Sequence, residues 1–90
     1  SRDRVIRWGG EEFVILLEDC TQASAMVLGE RIRSRVSLNR DPELGEITVS
    51  LGLATHRADE TMEQLLARAD RALYEAKRSG RNRLSVATGV

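Results

Sequence analysis

Five consecutive apolar side chains, Phe13-Val14-Ile15-Leu16-Leu17, constrain this chain more than any other feature. A strand turns alternate residues to opposite faces, so a run with no polar position is covered on both sides. The segment over residues 11–17 therefore belongs inside a sheet, with helices above and below. Residues 4–8 read as a second strand. Gly9-Gly10 between the two runs signals a hairpin, whose tight primed turn calls for positive φ at its centre.

The rest of the chain supplies the covering layers. Ala25, Leu28, Ile32 and Val36 recur at helical spacing over residues 22–37, with Glu30, Arg31, Arg33 and Arg35 between them. The polar stretch Glu18-Asp19-Cys20-Thr21 precedes that helix as its cap. Asn39 to Gly45, with the chain's only proline at Pro42, reads as a loop. Ile47, Val49, Leu51 and Leu53 then alternate with Thr48, Ser50, Gly52 and Ala54, a strand with one greasy face and one small face. The small face admits a close neighbour. Thr61-x-x-Gln64 matches a capping box and opens a second helix. Met62, Leu65, Leu66, Ala69, Leu73 and Ala76 form its apolar stripe, and Gly80 stands where a terminating glycine belongs. Residues 84–87 close the chain as a short strand. The order β-β-α-β-α-β predicts an α/β (α+β layered) fold with a largely antiparallel sheet.

Bulk properties narrow the function. Ninety residues suffice for one small domain. Fourteen basic residues balance fourteen acidic ones, which argues against a nucleic-acid partner. One cysteine, Cys20, rules out an intrachain disulfide and fits a reducing, cytoplasmic setting. No apolar run reaches the length of a membrane span and no signal peptide opens the chain, although a longer parent protein could carry an anchor. The abrupt start, Ser1-Arg2-Asp3-Arg4 running straight into a strand, suggests a piece of something larger.

Two places could carry chemistry. Glu11 and Glu12 follow the glycines on the rim of the buried strand. As neighbours on a strand they face opposite ways, so one of them can bind a hard divalent cation such as Mg²⁺. Gly9 and Gly10 would let a nucleotide reach the backbone without meeting a Cβ. The plainer alternative is a hairpin with solvated glutamates. The second place is Lys77-Arg78-Ser79-Gly80-Arg81-Asn82-Arg83. Lys77 and Arg81 could converge on one anionic group, or the basic residues could simply complement the helix dipole. His56 and Cys20 lack partners for metal binding or nucleophilic chemistry, and Trp8 and Tyr74 are too sparse for base stacking.

Taken together, these segments resemble the GGDEF family nearly end to end. Arg7-Trp8-Gly9-Gly10-Glu11-Glu12-Phe13 is similar to the family signature in its GGEEF spelling. Thr48-Val49-Ser50-Leu51-Gly52-Leu53-Ala54 is similar to its core strand. Ala69-Asp70-Arg71-Ala72-Leu73-Tyr74-Glu75-Ala76-Lys77, continuing through Gly80-Arg81-Asn82, is similar to its last helix and turn.

The resemblance implies a palm-like nucleotidyl-cyclase fold and a diguanylate cyclase, which condenses two GTP into cyclic di-GMP with loss of pyrophosphate. It implies Glu11 as the metal-binding catalytic carboxylate, with Mg²⁺ or Mn²⁺ as cofactor, and Glu12 as a second active-site carboxylate. It also implies Gly9 and Gly10 against the substrate, and Lys77 and Arg81 on the GTP phosphates. Each protomer of a homodimer would hold one GTP. Asp3 matches the aspartate of the family's Arg-x-x-Asp inhibitory site for cyclic di-GMP, with the arginine falling before Ser1, and Arg31 matches a further basic residue of that site. Residues 1–90 would be the C-terminal half of one domain, the absent half supplying a strand, a metal-binding aspartate and guanine contacts. Isolated, such a half should be inactive and should self-associate through exposed apolar surface and open strand edges. The alternative is a degenerate module that binds GTP or cyclic di-GMP as a sensor or scaffold.

Overall fold

The computed structural model describes residues 3–37, 40–43, 45–46 and 48–87, and of these leaves the side chains of Arg7, Trp8, Arg40, Asp41 and Glu46 undescribed. Ile47, expected in the third strand, and Asn39, expected to open the loop, lie outside the described residues, as do the side chains of Arg7 and Trp8.

The buried run forms β2 (Glu12–Leu17), which pairs antiparallel with β1 (Arg4–Gly9). Val14, Ile15, Leu16 and Leu17 are all buried, as an apolar run without a polar face requires. Neither Gly9 nor Gly10 takes a positive φ, so the expected primed turn is not the one found. The register instead slips between Arg7 and Gly9, leaving Trp8 as the extra residue of a β-bulge. The bulge supplies the local twist that a primed turn would otherwise provide.

Helix α1 (Gln22–Ser37) follows, and then a small ribbon where a loop was expected. In that ribbon β3 (Arg40–Asp41) pairs antiparallel with β4 (Gly45–Glu46) around Pro42. Proline presets φ for a turn, and Gly45 takes φ +82, so both ends of the reversal are chemically provided for. Strand β5 (Ser50–Thr55) starts later than the alternating pattern suggested. Its neighbour β2 begins at Glu12, opposite Ser50, and leaves Thr48 and Val49 nothing to pair with on that side.

Helix α2 (Met62–Arg78) has both halves of the expected capping box: Gln64 N–H donates to Thr61 Oγ1 and Thr61 N–H donates to Gln64 Oε1. It ends in a Schellman motif, with Arg81 N–H donating to the Ala76 carbonyl at 3.1 Å and Gly80 N–H donating to the Lys77 carbonyl at 3.3 Å. Strand β6 (Leu84–Val86) closes the fold.

The main sheet runs β1-β2-β5-β6. The α/β palm-like class holds, but the pairing is mixed rather than largely antiparallel. Only β1-β2 is antiparallel, whereas β2-β5 and β5-β6 are parallel. The connections decide this. A short turn joins antiparallel neighbours, but α1 and α2 each carry the chain back to the start of the next strand, and such a crossover yields a parallel pair.

Alternate residues of β2 and β5 feed two cores on opposite faces. Val14, Leu16 and Ala54 pack with Leu65, Ala69 and Leu73 of α2. Ile15, Leu17, Leu51 and Leu53 pack with Ala25 and, less deeply, Leu28, Ile32 and Val36 of α1. The small face of β5 is where α2 comes closest. A Cβ on Gly52 would stand 2.3 Å from the Ala69 carbonyl oxygen and 2.4 Å from the Leu73 nitrogen. The helix backbone therefore rests directly on the strand, which carries α2 to its place relative to the hairpin.

At the end of β5 remote from that hairpin, Arg68 of α2 ties down the loop. Its Nε donates to Glu60 Oε2 at 2.7 Å, and its Nη2 donates to Glu60 Oε1 and to the Thr55 carbonyl. These hydrogen bonds hold the Glu60 carboxyl far below its ordinary value, at about 2.

Candidate active site

The glycine turn and the end of α2 meet. Lys77 Nζ lies 3.1 Å from Glu12 Oε1, both side chains about three-quarters buried. Parity along β2 explains the contact. Glu12 shares its face with Val14 and Leu16, the residues that pack against α2, so its carboxylate points toward that helix. Lys77 sits one residue beyond Ala76, in the last turn of α2, where a cation also complements the helix dipole.

Glu11 is placed differently. It lies in the turn, exposed, and its carbonyl accepts the Ser50 N–H at 2.9 Å, which anchors the turn to the start of β5. The strand expected over residues 11–17 begins only at Glu12, so strand alternation does not apply to the pair: Glu11 is exposed in the turn and Glu12 partly buried at the start of β2. Around them the glycines leave room: a Cβ on Gly10 would meet nothing within 4 Å, and one on Gly9 would only touch the Glu12 side chain at 3.6 Å. An open backbone surface therefore lies beside one exposed carboxylate and one carboxylate held by a lysine.

Arg81 lies past the end of α2, at φ 61, with its side chain exposed. It does not share a helical face with Lys77, because the helix has already stopped at Ser79. The turn carrying Arg81 is tied to α1, where Arg33 Nη1 donates to Asn82 Oδ1 at 3.0 Å. Arg33 also binds Glu30 through Nε at 3.1 and 2.9 Å, and these bonds hold the Glu30 carboxyl below its usual value.

The remaining expected site residues lie elsewhere. Asp3, just before β1 and at its far end from the turn, accepts the Glu18 N–H at 3.0 Å through Oδ1. Arg31 is exposed on α1, in a shallow surface depression shared with Met26, Val27, Glu30 and Ser34. Cys20 donates weakly to the Thr21 carbonyl, and His56 Nε2 lies 2.8 Å from the Glu60 carbonyl, both ordinary loop contacts. Among the described residues no three His, Cys, Asp or Glu side chains gather into a group that could hold a metal ion. No helix among them is long and apolar enough to cross a membrane.

Sequence reasoning named Glu12 and Lys77 but did not join them, since nothing in a pattern links positions 65 apart. Arg33 and Asn82 as partners were missed for the same reason.

Residues 1–83 match the family model described as "Diguanylate cyclase, GGDEF domain". The chain is 46% identical over 85 residues to Diguanylate cyclase DgcM of Escherichia coli, covering 94% of this chain and 21% of that protein. It is 38% identical over 90 residues to Diguanylate cyclase A of Treponema denticola, covering 96% of this chain and 24% of that protein. It is 43% identical over 86 residues to Response regulator PleD of Caulobacter vibrioides, covering 89% of this chain and 19% of that protein. The chain thus spans about a fifth of the length of the curated relatives it matches. It belongs to the diguanylate cyclase GGDEF domain family.

Proposed function

We propose, from membership of the GGDEF family, that this chain is the C-terminal half of a diguanylate cyclase domain whose parent protein condenses two GTP into cyclic di-GMP. The observation that carries the reading is the Lys77–Glu12 contact, which brings the basic end of α2 to the open glycine turn.

Each residue then has a role that its surroundings support. Gly10 and Gly9 admit the nucleotide against the backbone, because no Cβ stands in the way. Lys77 and Arg81 bind the phosphates, one as a point charge and one as a planar fork. Glu12 holds Lys77 in place, so its carboxylate acts by orienting a phosphate-binding group. Glu11, exposed in the turn and not held by Lys77, is the better candidate to hold a divalent cation. A single protein carboxylate together with substrate phosphates suits Mg²⁺, while Mn²⁺ accepts the same oxygen donors. Two such ions would, when bound, stabilise charge on the attacking and leaving oxygens. The remaining donors would come from outside this chain, as would the second GTP, carried by the partner of a homodimer.

Cyclic di-GMP formation by the intact parent from GTP and Mg²⁺, with Glu11→Gln as control, tests this reading. Product formed by the parent and lost in the variant supports it. Nucleotide binding without product would sink the cyclase reading and favour a sensor.

A further inference from the structure

We propose that Arg33 of α1 is a positioning residue for Arg81, acting through its hydrogen bond to Asn82. This rests on the reading of Arg81 as a phosphate-binding group.

Three consecutive residues after α2 have positive φ: Gly80 at 127, Arg81 at 61 and Asn82 at 46. Glycine takes such values freely and asparagine tolerates them, but an arginine carries a steric cost there. A backbone of that kind persists only where its surroundings over-determine it. Beside the Gly80 N–H to Lys77 carbonyl bond described above, three contacts do so. Arg81 N–H donates to the Ala76 carbonyl at 3.1 Å, which locks the turn to the helix it leaves. Arg83 Nε donates to the Arg81 carbonyl at 3.2 Å. Arg33 Nη1 donates to Asn82 Oδ1 at 3.0 Å.

The third contact differs in kind from the other two. It is partly buried, it joins residues 49 apart, and it comes from the helix on the opposite face of the sheet. Arg33 is itself fixed, because Nε binds both oxygens of Glu30 and Nη2 pairs with the same carboxylate. The guanidinium therefore works as a fork, with one side on Glu30 and the remaining nitrogen on Asn82. Only arginine has donors in a rigid plane that reach both at once.

The two basic groups of the site are thus held by separate devices. Glu12 holds Lys77 from β2, and the Glu30–Arg33–Asn82 chain holds the turn that aims Arg81. Loss of the Arg33 contact leaves Arg81 attached to a turn with one fewer constraint. The guanidinium then samples more directions, and phosphate binding weakens without any change in the groups that touch substrate.

The test is a double-mutant cycle on the intact protein that carries this chain, read as affinity for a non-hydrolysable GTP analogue with Mg²⁺, by titration calorimetry. Arg33→Ala and Asn82→Ala should each weaken binding by about tenfold, the scale of one hydrogen bond. The two together should be no worse than either alone. Arg33→Ala added to Arg81→Ala should change affinity less than about twofold, because its effect runs through Arg81. Arg33→Lys, which can reach Glu30 or Asn82 but not both, should fall between. Multiplying effects of Arg33→Ala and Arg81→Ala would overturn the proposal. So would a lowered Tm with unchanged affinity, which would leave Arg33 merely structural. A wild-type protein that binds the analogue yet forms no cyclic di-GMP would refute the cyclase reading while the cycle still decides the role of Arg33. A wild-type protein that does not bind the analogue would refute both.

Discussion

Lys77 and Glu12 stand 65 positions apart in the chain and 3.1 Å apart in the fold, closing the glycine turn against the end of α2. The pair is a quarter to a third exposed, so its contribution to stability is small, below about 1 kcal/mol. Its value lies in direction, since it keeps an ammonium beside an open backbone surface. Lys77→Met should therefore leave the thermal midpoint almost unchanged while weakening GTP binding about tenfold or more, the scale of a charged hydrogen bond. Thermal denaturation and nucleotide titration on the same samples check this, and a fall in the midpoint with binding intact would contradict it.

Glu11 should separate fold from chemistry more sharply. It is exposed and its structural contact is a backbone one, so Glu11→Gln should preserve the circular dichroism spectrum. Cyclic di-GMP formation by the intact protein should fall by at least about 100-fold, the scale of removing one charge-stabilising group from a reacting centre. A variant that retains a tenth of the activity would remove Glu11 from the proposed role.

Two glycines should respond in opposite ways to the same substitution. Gly52→Ala drives a Cβ into the backbone of α2 at Ala69 and Leu73, and backbone cannot swing aside. Overpacking of this kind costs roughly 1–3 kcal/mol and occasionally more, and the contact distances put this case at the upper end. Gly10→Ala meets nothing within 4 Å and requires no unusual φ, so stability should change by less than about 0.5 kcal/mol. Nucleotide binding should nevertheless weaken, because the new methyl occupies the approach to the turn. Urea denaturation and nucleotide titration of both variants distinguish the cases.

Acid should loosen the far end of the sheet. Glu60 titrates at about 2 in the folded chain, against an ordinary value of 4.5, because Arg68 stabilises its charged form. A depressed carboxyl adds stability that is fully present above pH 4.5 and is lost as pH falls toward 2. Glu60→Gln should therefore flatten the decline of the urea midpoint over that interval, with Arg68 left to its contact with the Thr55 carbonyl. Equal slopes for wild type and variant would show that the pair does not couple to folding.

Much of the architecture was legible from the chain alone, and the reasons are local. Burial on two faces followed from an unbroken apolar run at residues 13–17, because strand geometry allows no other outcome. The capping box at Thr61 and Gln64 and the stop at Gly80 were legible because their hydrogen bonds join residues three to five apart. The small face of β5 announced a close neighbour, and α2 proved to be that neighbour. Pairing direction was misjudged in part, although the two crossover helices already implied parallel neighbours. The hairpin turn was misjudged because Gly9-Gly10 permits positive φ without requiring it.

The sequence by itself determined the order of the two helices and the four strands of the main sheet, which faces they bury, and which residue types stand at the turn and at the end of α2. Those properties arise from short-range geometry and the hydrophobic effect, both written into neighbouring positions. Only the tertiary structure decided that Glu12 holds Lys77 while Glu11 stays exposed, and that Arg33 reaches across to Asn82. Such contacts depend on how far α2 settles onto Gly52 and how the two helices straddle the sheet. No periodicity carries that information, because it emerges from the packing of many side chains at once.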